Sequence, residues 1–352
     1  MAKGRRFLAY GVGALAAATA TGKLISWRDG RRPDPEREEG LGSLRGHPQV
    51  IRGPRASRLY TEWFPSAAGT GTLLLTHGYC MTEAIWHYQK RDLSGGSFGL
   101  ATWDLPGHGH SPGVSPERLT LDFCADALAR VVDEYEGDGG VILSGHSLGG
   151  AITLAYLARH PETASRVVRG AVLVSTPVMH LARSVAGRSP VAGIEARALN
   201  AALHSLVNGP LTERVLDREA GREHLGLSYR VVRCGFGRKP SPSHVLFVRD
   251  AIASVRPDIR AQTYRVMTSA DLSPILPDIK IPVLVVVGGR DRLVNPAESR
   301  EMAELLPRAN LVEFPSAGHA TFLEEHARFN AELQRFSRRH LGEGSRKGQR
   351  PA

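Results

Sequence analysis

The sequence predicts an α/β protein: a mostly parallel, doubly wound sheet with a helical cap inserted after the sixth strand. Three observations carry this. Short apolar runs ending in Gly, Asp or Ser alternate with longer stretches of helical period. Within those runs Val, Leu and Ile are continuous rather than alternating, as in strands covered on both faces. From residue 178 to residue 279 the alternation stops and helical stretches replace strands, which predicts a cap over the strand ends.

Along the chain, residues 1–27 come first. Lys3, Arg5 and Arg6 precede an uncharged stretch from Phe7 to Gly22, which Lys23 interrupts. Its length suits a signal peptide or a short membrane anchor better than a bilayer span. Its Ala, Gly and Thr content gives only a weak drive to insert. Arg5 and Arg6 before Phe7 and Leu8 loosely resemble a twin-arginine export signal. Two readings stay open: export or membrane association through this segment, and a cytoplasmic protein with an inert leader. Residues 28–49, rich in Arg, Glu, Gly and Pro without a period, read as a linker.

The core begins near Val50 and divides into residues 50–177 and 280–340 around the cap at 178–279, with a basic tail at 341–352. The strand runs are TLLLTHG (72–78), GLATWDLPGHG (99–109), GVILSGHS (140–147), GAVLVSTP (170–177), VLVVVGGRD (283–291) and NLVEFPSAGH (310–319). Helices are predicted over 119–135, 148–160 and 296–306. In the first of these Leu121, Cys124, Ala125, Leu128, Val131 and Val132 share one face, which makes Cys124 a core residue. Cys80 and Cys234 complete three cysteines, none in a metal-ligand spacing, so neither a disulfide scaffold nor a metal cluster is implied.

The net charge of +10 sits in the tails. Residues 1–35 carry seven Lys or Arg against two Asp, and residues 335–352 carry six against one Glu, which leaves the body neutral. That argues against a nucleic-acid partner.

Every polar cluster of interest falls at the carboxyl end of a strand run, where open α/β sheets hold their ligands. GHSLG (145–149) fits G-x-S-x-G, in which Ser147 occupies a sharp strand-to-helix turn that glycines alone allow. A serine hydroxyl needs a base, and the base an orienting acid. His319, in SAGHA, and Asp291, directly after VLVVVGGR, supply these types at later strand ends, in the order Ser, Asp, His. In THGYC (76–80) the Tyr79 N–H, together with that of Leu148, is placed to receive an oxyanion, while His77 is read as holding the loop.

The stretches HGYC, DLPGHGHS, GHSLGG, GGRDRLV and AGHATFLEEH, in this order and over about residues 56–340, resemble the α/β-hydrolase superfamily with a lid domain. That resemblance implies the α/β-hydrolase fold and a structural part for Asp104 and His108. It excludes the epoxide-hydrolase and haloalkane-dehalogenase branches, whose nucleophile is aspartate. The function it implies is that of a serine hydrolase, close to esterases and monoacylglycerol lipases. Such an enzyme cleaves a small-molecule or lipid-like carboxylic ester through an acyl-enzyme. Carbon–carbon bond hydrolysis, acyl transfer and a non-catalytic binding role remain as alternatives. No organic cofactor or metal is implied, since GHSLGG lacks the lysine of a phosphate loop. Apolar VLFVRDAIASV (245–255) with Arg233, Arg238 and Lys239 suits either an acyl chain with a polar head or ordinary cap packing.

Overall fold

A computed structural model describes residues 24, 25, 27–67, 71–178, 226–269 and 271–341. The proposed leader up to residue 23, the tail beyond residue 341 and cap residues 179–225 lie outside the described residues.

Eight strands form one sheet: β1 (His47–Arg52), β2 (Arg58–Phe64), β3 (Thr72–Thr76), β4 (Gly99–Trp103), β5 (Val141–His146), β6 (Val168–Val174), β7 (Val283–Gly288) and β8 (Ala309–Phe314). Their order is β1-β2-β4-β3-β5-β6-β7-β8. The first two pairings are antiparallel and the remainder parallel. The core between β6 and β7 is interrupted by the cap, as expected. Its described helices are α5 (Gly226–Cys234), α6 (Pro242–Ser254) and α7 (Pro257–Ser269).

The continuous apolar runs have the predicted cause. Strands β3 to β5 and β7 are buried at every residue, and alternate side chains enter two different cores. Leu74, Leu143, Leu173 and Val285 line one face. It is covered by α2 (Leu121–Tyr135), α3 (Leu148–Arg159) and α8 (Pro296–Leu305). Leu73, Ile142, Val172 and Leu284 line the other, against α1 (His87–Leu93) and α10 (His326–Leu341). Cys124 packs in the first core, and Thr120 caps α2 by accepting the Phe123 N–H at 3.1 Å. Cys80, Cys124 and Cys234 are free thiols.

The β1–β2 hairpin was not among the strand runs because it does not resemble a buried strand. In HPQVIR only Ile51 is buried, so the period of two is lost at this sheet edge. The run at 99–109 is a strand only to Trp103, since Pro106 and the positive-φ residues Gly107 and Gly109 turn the chain.

The stretch read as a linker carries acids that bind both core and cap. Asp29 accepts from Arg233 Nε at 2.9 Å and from the Tyr229 hydroxyl at 3.2 Å, both on α5. Asp34 accepts from the Ser243 N–H at 3.0 Å and its hydroxyl at 2.7 Å, at the start of α6. Glu36 accepts from the Tyr88 hydroxyl, which also meets His244 Nε2 at 2.8 Å. Glu39 pairs with His87 at 3.1 Å. Residues 29–39 are thus a strap across α1, α5 and α6. Among the described residues no helix is long and apolar enough to cross a membrane.

Candidate active site

The strand order reverses between β3 and β5, so the loops leaving these neighbours diverge and open a crevice at their carboxyl ends. The β3 loop holds Tyr79. Leaving β5, the chain enters α3 with Ser147 alone between them.

Ser147 has φ 51° and ψ −116°, a strained conformation for a residue with a side chain, and it is 5% exposed. Its N–H donates to the Val174 carbonyl at 2.8 Å, which fixes the turn against β6. The glycines around it have a steric cause. A Cβ on Gly145 would collide with the main chain of Gly149 and Gly150, and one on Gly149 with the Thr76 carbonyl. Gly150 faces the Thr176 hydroxyl with no room for a methyl group.

Asp291 is fully buried at the end of β7. Its Oδ1 accepts the N–H groups of Leu293 and Val294 at 2.8 and 2.9 Å, and its Oδ2 accepts His319 Nδ1–H at 2.8 Å. This pairing leaves the His319 Nε2 lone pair for a proton. Asp291 and His319 are therefore joined directly. Among the described residues the Ser147 hydroxyl has no hydrogen-bond partner. The chain neighbour His146 is the contact between the elbow and the pair: its ring lies edge-on to His319 at 4.7 Å and its Nε2 donates to the His319 carbonyl at 3.1 Å.

At the β3 loop, His77 holds the main chain on both sides. Nε2 accepts the Leu105 N–H at 3.0 Å, while Nδ1 donates to the Gly78 carbonyl at 2.9 Å. Among the described residues the Tyr79 N–H has no main-chain acceptor. Leu148 opens α3, so its N–H has no intrahelical acceptor either. Burial pushes His77 down to about 3 and His108 down to about 4, and holds His146 well below the usual histidine range. All three stay neutral at working pH. Burial likewise pushes the Cys80 thiol up to about 12, so it packs as an apolar group.

Asp104 and His108 shape the loop beside the elbow. The buried Asp104 carboxylate accepts the N–H groups of Glu83 and His110, each at 2.8 Å. Burial raises it to about 7, against the His110 bond and the nearby Lys90 charge.

Three residues near the crevice escape sequence reasoning. His146 links elbow and histidine loop, as described. Glu324 accepts the Gly237 N–H at 2.7 Å and the Gly318 N–H at 2.8 Å, joining the cap to the His319 loop. Arg260, on α7, accepts the Tyr79 hydroxyl on its carbonyl at 3.3 Å. Glu324 stands inside AGHATFLEEH, but its partners are known only once the chain is folded. Among the described residues no group of three or more His, Cys, Asp or Glu side chains forms a metal-binding cluster.

The chain is similar to two curated proteins named pimeloyl-[acyl-carrier protein] methyl ester esterase. That of Vibrio atlanticus is 27% identical over 79% of this chain and 98% of its own length. The Stenotrophomonas maltophilia protein is 29% identical over 75% of this chain and 92% of its own. Among solved structures, an esterase from Exiguobacterium antarcticum superposes with a TM-score of 0.65 at 19% identity, covering 83% of this chain and 99% of that one. It shares the fold. Residues 73–332, which span the crevice, the elbow, the Asp291 and His319 loops and the cap, match the family model described as Alpha/beta hydrolase family, and the chain belongs to that family.

Proposed function

We propose that this protein is a serine hydrolase that cleaves a small-molecule carboxylic ester through an acyl-enzyme. The observation that carries this is the buried Asp291–His319 pair, 2.8 Å apart, on the sheet edge where Ser147 occupies its strained turn. The names of the curated relatives, all methyl ester esterases among those cited, support an ester as substrate.

In this mechanism Ser147 Oγ attacks the ester carbonyl as its proton passes to His319 Nε2. Asp291 holds the imidazole in the tautomer that can take it. The N–H groups of Tyr79 and Leu148 receive the oxyanion, aided by the positive end of α3. His319 then protonates the departing alcohol. Water, deprotonated by the same nitrogen, attacks the acyl-enzyme and releases the acid and Ser147. A lipid-like acyl chain is the narrower form of this reading, and α6 with its apolar residues is where such a chain would lie.

The test is labelling of the purified protein with a fluorophosphonate. Modification of Ser147, absent in Ser147→Ala, is the expected result; no modification of a folded protein overturns the reading. A panel of p-nitrophenyl esters of increasing acyl length then separates outcomes. Turnover that rises with length supports the lipid-like form. Labelling with silence on every ester points instead to carbon–carbon bond hydrolysis or acyl transfer.

A further inference from the structure

Arg260 is a buried residue, 8% exposed, yet among the described residues its guanidinium forms no ion pair and no hydrogen bond. The neighbouring arginines are engaged. Arg256, just before α7, donates from Nε to Asp258 at 3.0 Å, and Arg265 on α7 donates to Gln262 at 2.8 Å. The helix's one acid near Arg260 is thus already paired. Isolated burial of a cation is costly, and arginine cannot shed its charge to escape that cost. An arginine on so buried a residue, with no counter-ion among the described residues, belongs where a ligand brings one.

Its position says which ligand. The Arg260 carbonyl accepts the Tyr79 hydroxyl at 3.3 Å, and Tyr264, one turn on, meets the Tyr79 ring edge-on at 6.3 Å. The preceding residue, Ile259, packs on Gly107 of the Asp104 loop. So α7 packs directly on the loop that holds Tyr79, the residue whose N–H the proposed mechanism uses. The charge is felt there: it favours ionisation of both the Tyr79 phenol and the Cys80 thiol, against their burial.

We propose that Arg260 is a specificity-determining residue that binds a carboxylate of the substrate, so that the preferred ester carries a free carboxylate. This rests on the ester-hydrolase reading above and adds the substrate's charge. A planar guanidinium matches a carboxylate through two parallel hydrogen bonds. One buried positive charge is neutralised by one carboxylate, whereas a phosphate would leave an excess negative charge in the same site.

The experiment compares kcat/KM for two matched pairs of esters. Mono-p-nitrophenyl adipate against p-nitrophenyl hexanoate places the charge on the acyl side; p-carboxymethylphenyl acetate against p-tolyl acetate places it on the alcohol side. The expected result is a preference of about tenfold or more for the anionic member of one pair. In Arg260→Gln that ratio falls by about tenfold or more, and Arg260→Lys, which keeps the charge without the fork, is intermediate. A merely structural arginine would lower both members alike and leave the ratio unchanged. Ratios near or below one in both pairs overturn the proposal, as does a preference that survives in a folded Arg260→Gln. Should neither variant fold, the ratios of the unaltered protein decide. Should no ester be turned over, the ester-hydrolase reading fails, and calorimetric titration with adipate decides on Arg260 alone. Saturable binding, weakened about tenfold or more in Arg260→Gln, supports the carboxylate site; no saturable binding overturns it.

Discussion

The main-chain N–H of His319 donates to the carbonyl of Gly235 across 2.6 Å, so the loop that carries the proposed base is hung from the cap. Glu324 seals the same junction through the Gly237 and Gly318 amides. Burial raises its carboxyl to about 7, with the two bonds opposing the shift. Glu324→Ala leaves both amides without their acceptor and lets the His319 loop drift. A misplacement of this kind is expected to lower kcat by about ten- to a hundredfold, with a smaller change in KM. Glu324→Gln, which keeps one acceptor oxygen, should fall between. Steady-state kinetics on a chromogenic ester, with circular dichroism to confirm folding, measures this.

Asp291 is the sharper test of the proposed mechanism. Asparagine at 291 offers His319 Nδ1 either an acceptor or a donor, and the donor selects the wrong tautomer. Asp291→Asn is expected to lower kcat by about three to four orders of magnitude while the protein remains folded. Fluorophosphonate labelling should slow in parallel, which a loss of substrate binding alone would not produce.

Asp104 makes stability depend on pH in an unusual direction. Its carboxyl titrates near 3.8 when exposed and at about 7 in the fold. The folded state therefore holds its proton to higher pH than the unfolded chain, and raising the pH through that window weakens the fold. Asp104→Asn removes this term. Urea unfolding of both proteins at several pH values between about 4 and 8 should show the variant gaining relative to its parent as pH rises. A constant difference would refute the assignment.

Asp34 reaches from the strap to the start of α6. Ser241, at the N-cap position, makes no side-chain capping bond there, and Asp34 accepts the Ser243 N–H instead. Asp34→Ala is expected to cost about 1–2 kcal/mol, the usual worth of a helix cap. Its bonds to Ser241 and Ser243 hold the carboxyl below its ordinary value despite burial. The stability it contributes is therefore present above about pH 4 and lost as pH falls through the folded-state value. Denaturation at neutral pH and near pH 3 should show a penalty that shrinks in acid.

The sheet's centre was legible because β3 to β7 are covered on both faces, which forces unbroken Val, Leu and Ile. The places of Ser147 and Asp291 were legible for a related reason: each comes within three residues of the end of such a run, whereas His319 comes five residues after the edge strand β8, whose burial is only partial. The β1–β2 hairpin was not, because an exposed edge needs no apolar alternation. Glu324, Arg260 and the strap acids were hidden by distance. Asp29 meets Arg233 some two hundred residues away, and nothing local to either residue distinguishes it from a solvated surface charge. Linker-like composition and a folded strap are the same sequence until tertiary partners exist.

The crevice floor is made of interlocked main chain and one ring: Gly78 against the imidazole of His146, Gly145 against Gly149 and Gly150, Gly149 against the carbonyl of Thr76. Such a floor offers evolution almost nothing to vary, since any added methyl group breaks it. Under the proposed mechanism, variation in substrate preference would fall instead to the cap helices α5, α6 and α7, whose side chains are free of that constraint. The fold separates inheritance of a reaction from inheritance of a preference, and lets the second drift while the first stands still.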